Sequence, residues 1–126
     1  DYYGLTKYLG EEEVKTSDNY LIARVSWVFG INGNNFVKTM IKLGKTKESL
    51  NVISDQIGSP TYTKDLAKKI LDMVDKNSTG IFNITNEGYC SWNEFAREIM
   101  KINNIDIKVN EISTAEYKSA AKIKVK

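Results

Sequence analysis

The chain has 126 residues, 41% of them hydrophobic and 10% aromatic, which suffices for one cored domain and not for a second. Lys and Arg number 18 against 16 Asp and Glu; this formal charge of +2, with both signs interspersed, excludes the strong basic field of a nucleic-acid or anionic-membrane binder. Histidine is absent and Cys90 is the single cysteine, so a His- or multi-Cys zinc site, an intrachain disulfide and a Cys/His nucleophile are excluded within one chain, and a reducing cytoplasmic setting is expected.

From the start of the chain, apolar spacing predicts a helix over Tyr3 to Lys15, with Leu5, Tyr8 and Leu9 on one face and Glu11, Glu12 and Glu13 toward water. Tyr3 and Lys7 stand one turn apart on that helix, where the ammonium can stabilise a phenolate. A tyrosine so placed can hand a proton to a carbonyl oxygen while hydride arrives at the carbon. Tyr20 to Phe29 is a nearly continuous apolar run and predicts a parallel strand covered on both faces. Arg24 within it calls for a carboxylate or phosphate partner. The longest apolar stretch, Tyr20 to Ile31, is cut by Arg24, Ser26 and Gly30, so no membrane span is expected.

Gly30, Asn32, Gly33 and Asn34 break the strand, and Phe36, Val37, Met40, Ile41 and Leu43 follow at helical spacing. Asn34 or Asn35 is the candidate N-cap and Gly44 the closing residue. Leu50 to Ile53 predicts a short strand, and Asp55 to Thr61 a turn-rich connection that holds the only proline, Pro60. Thr63 is the expected cap of a helix whose Leu66, Ala67, Ile70, Leu71 and Val74 face inward. Gly80 to Ile84 predicts another strand. Ser91-Trp92-Asn93-Glu94 has the pattern of a capping box, and opens a helix in which Trp92, Phe95, Ala96, Ile99 and Met100 are assigned to the core. Ile105, Ile107 and Val109 alternate as an edge strand would, and Lys118, Lys122, Lys124 and Lys126 are expected to form a solvated basic tail. Helices and strands alternate throughout, so the fold class is α/β.

Four segments stand out in order along the chain: Tyr3-Gly4-Leu5-Thr6-Lys7-Tyr8-Leu9-Gly10-Glu11, Arg24-Val25-Ser26-Trp27-Val28-Phe29-Gly30, Asn35-Phe36-Val37-Lys38-Thr39-Met40 and Asp55-Gln56-Ile57-Gly58-Ser59-Pro60-Thr61. In order and spacing they resemble the dTDP-4-dehydrorhamnose reductases, within the extended short-chain dehydrogenase/reductases. The resemblance implies the second half of a Rossmann-like NAD(P)-binding fold together with a nucleotide-sugar-binding portion, residues 1–126 being a carboxyl-terminal fragment. No Gly-x-x-Gly-x-x-Gly turn occurs, so the amino-terminal dinucleotide-binding half is expected to be absent. The chain also starts at Asp1, and a truncated product, a trimmed form or one piece of a split protein is expected.

By resemblance, Tyr3 would protonate the C4 carbonyl oxygen of a keto sugar, Lys7 would hold the nicotinamide ribose, and both would contact NADPH or NADH. Trp27 would bound the sugar pocket, although core packing explains an indole there nearly as well. Asn35 would offer donors to a diphosphate, an assignment that plain N-capping rivals. Gln56 would hydrogen-bond the nucleotide, with Gly58 and Pro60 shaping the loop around it. The implied partners are a dTDP-sugar and the missing amino-terminal half or a second copy. Carboxylate-bound Mg2+ belongs to the wider family picture, with no residue pattern here that calls for it. Ile123-Lys124-Val125-Lys126 replaces the family's Arg-Pro continuation, and no terminal helix is expected. The rival reading is a non-catalytic regulatory or nucleotide-sugar-binding subunit, as relatives of these reductases serve methionine adenosyltransferase.

Overall fold

The computed structural model describes residues 1–123, with side chains through Ser119; the Lys122 side chain, Lys124 and Lys126 of the expected tail, and the 124–126 part of the departing segment, lie outside the described residues. The elements in chain order are α1 (Tyr2–Val14), β1 (Leu21–Arg24), β2 (Val28–Phe29), α2 (Phe36–Gly44), β3 (Ser49–Ile53), β4 (Ile57–Gly58), β5 (Thr61–Tyr62), α3 (Thr63–Asp75), β6 (Gly80–Asn83), β7 (Cys90–Ser91), α4 (Trp92–Ile102), β8 (Lys108–Ile112) and α5 (Thr114–Ile123). The α/β class stands. Among the described residues the strands form four separate pairs: β1–β6, β2–β5 and β3–β8 are parallel, and β4–β7 is antiparallel.

The core lies where α2 and α4 pack on the β3–β8 pair. Met40, Leu50, Val52, Ala96, Ile99, Met100 and Val109 are buried together there. The capping box that opens α4 closes as its sequence predicts: the Glu94 N–H donates to Ser91 Oγ at 3.0 Å, and the Ser91 N–H donates to Glu94 Oε2 at 2.7 Å. Asn93, only 1% exposed, donates through Nδ2 to the carbonyls of Val52 at 3.3 Å and Asn110 at 2.9 Å, so one amide ties α4 to both strands. Gly44 ends α2 for reasons of space. Its φ is not left-handed, and a side chain there would strike Met100 Sδ, 2.6 Å from an added Cβ.

Several expectations are corrected. The Tyr20–Phe29 run is two strands, because Trp27 adopts φ 47° and turns the chain out of the extended form. In β1 only Ile22 is buried and Arg24 is exposed, so this is not a strand covered on both faces. Thr63 makes no capping bond. It is the first residue of α3, and its hydroxyl lies in the space a Cβ on Gly30 would need. The inward stripe of α3 is Leu66, Ile70 and Met73, while Ala67 is exposed and Leu71 and Val74 are 65% and 55% exposed. Residues 105 and 107 precede β8 rather than belonging to it, and β8 pairs with β3 from Lys108 onward.

A helix outside the sequence expectations occupies Thr114–Ile123: α5 opens on a second capping box. The Ser113 N–H donates to Glu116 Oε2 at 2.6 Å, and the Glu116 N–H donates to Ser113 Oγ at 3.2 Å.

Candidate functional site

Tyr3 and Lys7 lie on the first two turns of α1, which is started by Asp1, whose carboxylate accepts from the Gly4 N–H at 3.2 Å. Lys7 Nζ stands 5.6 Å from the centroid of the Tyr3 ring, so the spacing does bring ammonium and phenol together. Tyr3 is 69% exposed, and Lys7 has no carboxylate partner among the described residues. The phenol and the cation are thus both presented outward.

No residue of α1 is buried. Its link to β1 is a fork: Arg24 Nε donates to Glu11 Oε1 at 2.8 Å and Nη2 to Glu11 Oε2 at 2.6 Å. That guanidinium holds the Glu11 carboxyl below the usual carboxylate range, and the carboxylate in turn raises Arg24. Arg24 therefore has the carboxylate its sequence position demands, on the surface rather than in a core.

Trp27, at the carboxyl end of β1, is set in an aromatic group that the sequence assigned to packing. Its ring stacks on Trp92 with centroids 3.5 Å apart and planes 13° apart. Phe36 lies 4.6 Å from Trp92, and Phe95 lies 5.7 Å from Phe29. Gly58 makes the stack feasible, because an added Cβ would fall within 2.6 Å of Trp27 Cζ2 and 2.7 Å of Nε1. The Thr61 N–H donates to the Trp27 carbonyl at 3.1 Å, fixing a backbone that a bulky residue adopts only under constraint.

Gln56 joins this group from the other side. Its Oε1 accepts from Trp92 Nε1 at 3.3 Å, and its Nε2 donates to Thr114 Oγ1 at 3.0 Å. Asp55, expected only to shape the turn, holds the start of α5: it accepts the Thr114 hydroxyl at 2.6 Å and the Thr114 N–H at 2.9 Å. Those bonds, the hydroxyl's first, pull the Asp55 carboxyl below its usual range.

Asn35 is the N-cap of α2. Its Oδ1 accepts from the Lys38 N–H at 3.1 Å, and its Nδ2 donates to the Gly30 carbonyl at 2.7 Å. One hydrogen of Nδ2 and one lone pair of Oδ1 remain for a ligand.

Trp92 packs against the core as its sequence position predicts, and it also touches Trp27, Gln56 and Phe36, the neighbour of Asn35. Tyr3, Lys7, Trp27, Asn35 and Gln56 line none of three cavities of about 530, 420 and 340 Å3; the largest lies between α3 and the end of β6. The candidates thus form two groups, the α1 pair and the ring around Trp92. Cys90 is half-buried, and burial followed by Glu94 pushes its thiol up, away from nucleophile chemistry.

The sequence profile of the RmlD substrate binding domain matches residues 1–123. Over 116 residues the chain is 47% identical to the spore coat polysaccharide biosynthesis protein SpsK of Bacillus subtilis, covering 91% of this chain and 41% of that protein. It is 40% identical over 134 residues to the dTDP-4-dehydrorhamnose reductase of Aggregatibacter actinomycetemcomitans, covering 95% and 45% respectively. The crystal structure of dTDP-4-dehydrorhamnose reductase from Bacillus anthracis in complex with NADP is similar with a TM-score of 0.89 at 46% identity, over 91% of this chain and 41% of that one. A dTDP-4-dehydrorhamnose reductase from Clostridium acetobutylicum gives a TM-score of 0.89 at 47% identity with the same coverage, 91% and 41%. The chain spans less than half the length of the relatives it matches, and corresponds to their carboxyl-terminal portion.

Proposed function

The chain belongs to the RmlD substrate binding domain family, and on that premise we propose that it is the catalytic-helix and nucleotide-sugar-binding part of an NAD(P)H-dependent reductase. The reaction is reduction of dTDP-4-dehydro-L-rhamnose to dTDP-L-rhamnose, feeding cytoplasmic synthesis of a surface polysaccharide. The observation that carries this reading is the outward-facing pair on α1: an exposed phenol beneath an ammonium with no carboxylate partner among the described residues.

That pair fits a nicotinamide cofactor, because Lys7 keeps its donors free for ribose hydroxyls and Tyr3 keeps its hydroxyl free for a carbonyl. When bound, NADPH or NADH supplies hydride to the sugar carbon. Tyr3 delivers the proton to the sugar oxygen, and Lys7 stabilises the phenolate as that proton leaves. The Trp27–Trp92 stack walls the sugar, Gln56 meets the nucleotide with the hydrogen and lone pair its two bonds leave over, and Asn35 meets the diphosphate at the start of α2. The dinucleotide turn comes from an amino-terminal portion, which is also the partner proposed for the exposed faces of β1, β6 and α1.

The test joins the chain to the amino-terminal portion of a related reductase and follows NADPH oxidation on adding the keto sugar. Tyr3→Phe is expected to cut turnover about 10²- to 10⁴-fold with cofactor affinity nearly intact, since only the phenolic hydroxyl is lost and the ring stays. Parental turnover in that variant would remove Tyr3 as the acid. A completed protein that binds dTDP in preference to UDP yet reduces no sugar would favour the binding-subunit reading.

A further inference from the structure

We propose that Asp55, Thr114 and Gln56 are positioning residues whose one-way chain of hydrogen bonds fixes Trp92 and, through it, the indole of Trp27; this rests on the reading of Trp27 as a wall of the sugar pocket. The polarity of the chain follows from elementary donor and acceptor counts. An indole N–H only donates, so the Gln56 atom facing Trp92 Nε1 at 3.3 Å is its carbonyl oxygen. The other end of the amide therefore donates, and it meets Thr114 Oγ1 at 3.0 Å. Thr114 has a single hydroxyl proton, and that proton goes to Asp55 Oδ1 at 2.6 Å.

Each donor is thus polarised by the next acceptor, and the series ends on a carboxylate, the arrangement in which such bonds reinforce one another. Glutamine is the side chain that can occupy position 56 in this chain, because it accepts at one end and donates at the other. Glutamate there would set an acceptor against Thr114 and a second negative charge beside Asp55.

What the chain holds is a ring that needs holding. Trp27 sits at φ 47°, which a bulky residue keeps only when its surroundings over-determine it. Gly58 and the Thr61 N–H restrain it from the 57–62 segment, and the indole of Trp92 supplies the stack at 3.5 Å. Position 114 follows position 56 by 58 residues, so the start of α5 sets the orientation of a group at the end of β1.

The chain contains two tryptophans, and they are the stacked pair, so the coupled circular-dichroism signal of its indoles reports this contact alone. In the 126-residue chain, Trp27→Phe should abolish that signal and so identify it. Thr114→Val and Gln56→Glu should each weaken it, and Thr114→Ser should restore it. Glu116→Gln, which loosens the same end of α5 without touching the hydrogen-bond series, should leave it alone. In the completed reductase Thr114→Val, at a residue that meets no ligand, should raise KM for the keto sugar roughly three- to tenfold with a smaller change in kcat, the range expected for losing one hydrogen bond.

An indole signal indifferent to Thr114→Val and Gln56→Glu, or one that Glu116→Gln reduces equally, overturns the proposal. A signal that follows the variants as predicted while KM stays constant supports the positioning chain and overturns the reading of Trp27 as a pocket wall.

Discussion

Replacing Gly58 by alanine adds one methyl group where Trp27 already stands. Gly58 has no left-handed φ, so alanine can share its backbone and the effect is one of space alone. The added Cβ would lie 2.6 Å from Trp27 Cζ2 and 2.7 Å from Nε1, and ordinary carbon contacts need about 3.5–4.0 Å, so the indole must retreat by roughly 1 Å. It cannot do so freely, because Trp92 is stacked on it at 3.5 Å and the Thr61 N–H holds its carbonyl. Overpacking of this kind costs about 1–3 kcal/mol, and loss of the aromatic pair adds about 0.5–1.5 kcal/mol. Against a total stability of about 5–15 kcal/mol for a natural domain, that is a large fraction. Urea unfolding should show a lower midpoint at unchanged slope, together with a weakened indole circular-dichroism signal. An alanine variant with the parental midpoint and the parental signal would refute the claim that Gly58 exists to admit the indole.

Further outcomes follow from other contacts. Lys7→Met in the completed reductase should weaken NADPH binding and turnover together, since both the ribose donors and the cation beside the phenol are lost; unchanged cofactor titration would exclude Lys7 from the site. Asp55 and Glu116 both grip the start of α5 and both titrate below their unfolded values, Asp55 through the Thr114 hydroxyl and N–H and Glu116 through the Ser113 N–H and hydroxyl. Their stabilisation is therefore complete above the ordinary carboxylate range and is lost as pH falls through the folded values. Acid titration of helical circular dichroism should show this limb, and it should flatten in the paired variant Asp55→Asn with Glu116→Gln; an identical limb in that variant would refute the assignment.

The elements with one clear signal were legible in the sequence. α2 and α4 carry their caps and their periodicity together, and β3 and β6 fall where their short apolar runs predict, whereas α1 forms where expected but leaves Leu5, Tyr8 and Leu9 exposed and turns Glu11 to Arg24 instead of water. α3 lies where expected and Leu66 and Ile70 face inward as predicted, but the buried stripe runs on to Met73 and leaves Ala67, Leu71 and Val74 outside, because the sequence offers two apolar stripes of the same period and only packing against neighbours selects one. α5 was missed although Ser113-Thr114-Ala115-Glu116 repeats the capping pattern of α4, since the residues after it lack an apolar stripe. At the site, the Tyr3/Lys7 pair needed only local spacing. Trp92 is readable as core, but its bond to Gln56, which precedes it by 36 residues, is not, because no local pattern encodes that contact. The break at Trp27 was hidden because an apolar run looks the same whether or not one residue turns left-handed.

The uneven burial of this chain gives its parts different lifetimes. Amides of Val52, Ala96, Ile99 and Val109 sit in a closed core and open to solvent only when that core comes apart. Amides of α1, where no residue is buried, open by local fraying at little cost in free energy. Within these 126 residues, the lobe built around α4 therefore outlasts α1 in exchange with solvent, and a partner segment laid over α1 would show itself first as slowed exchange of that helix's amides.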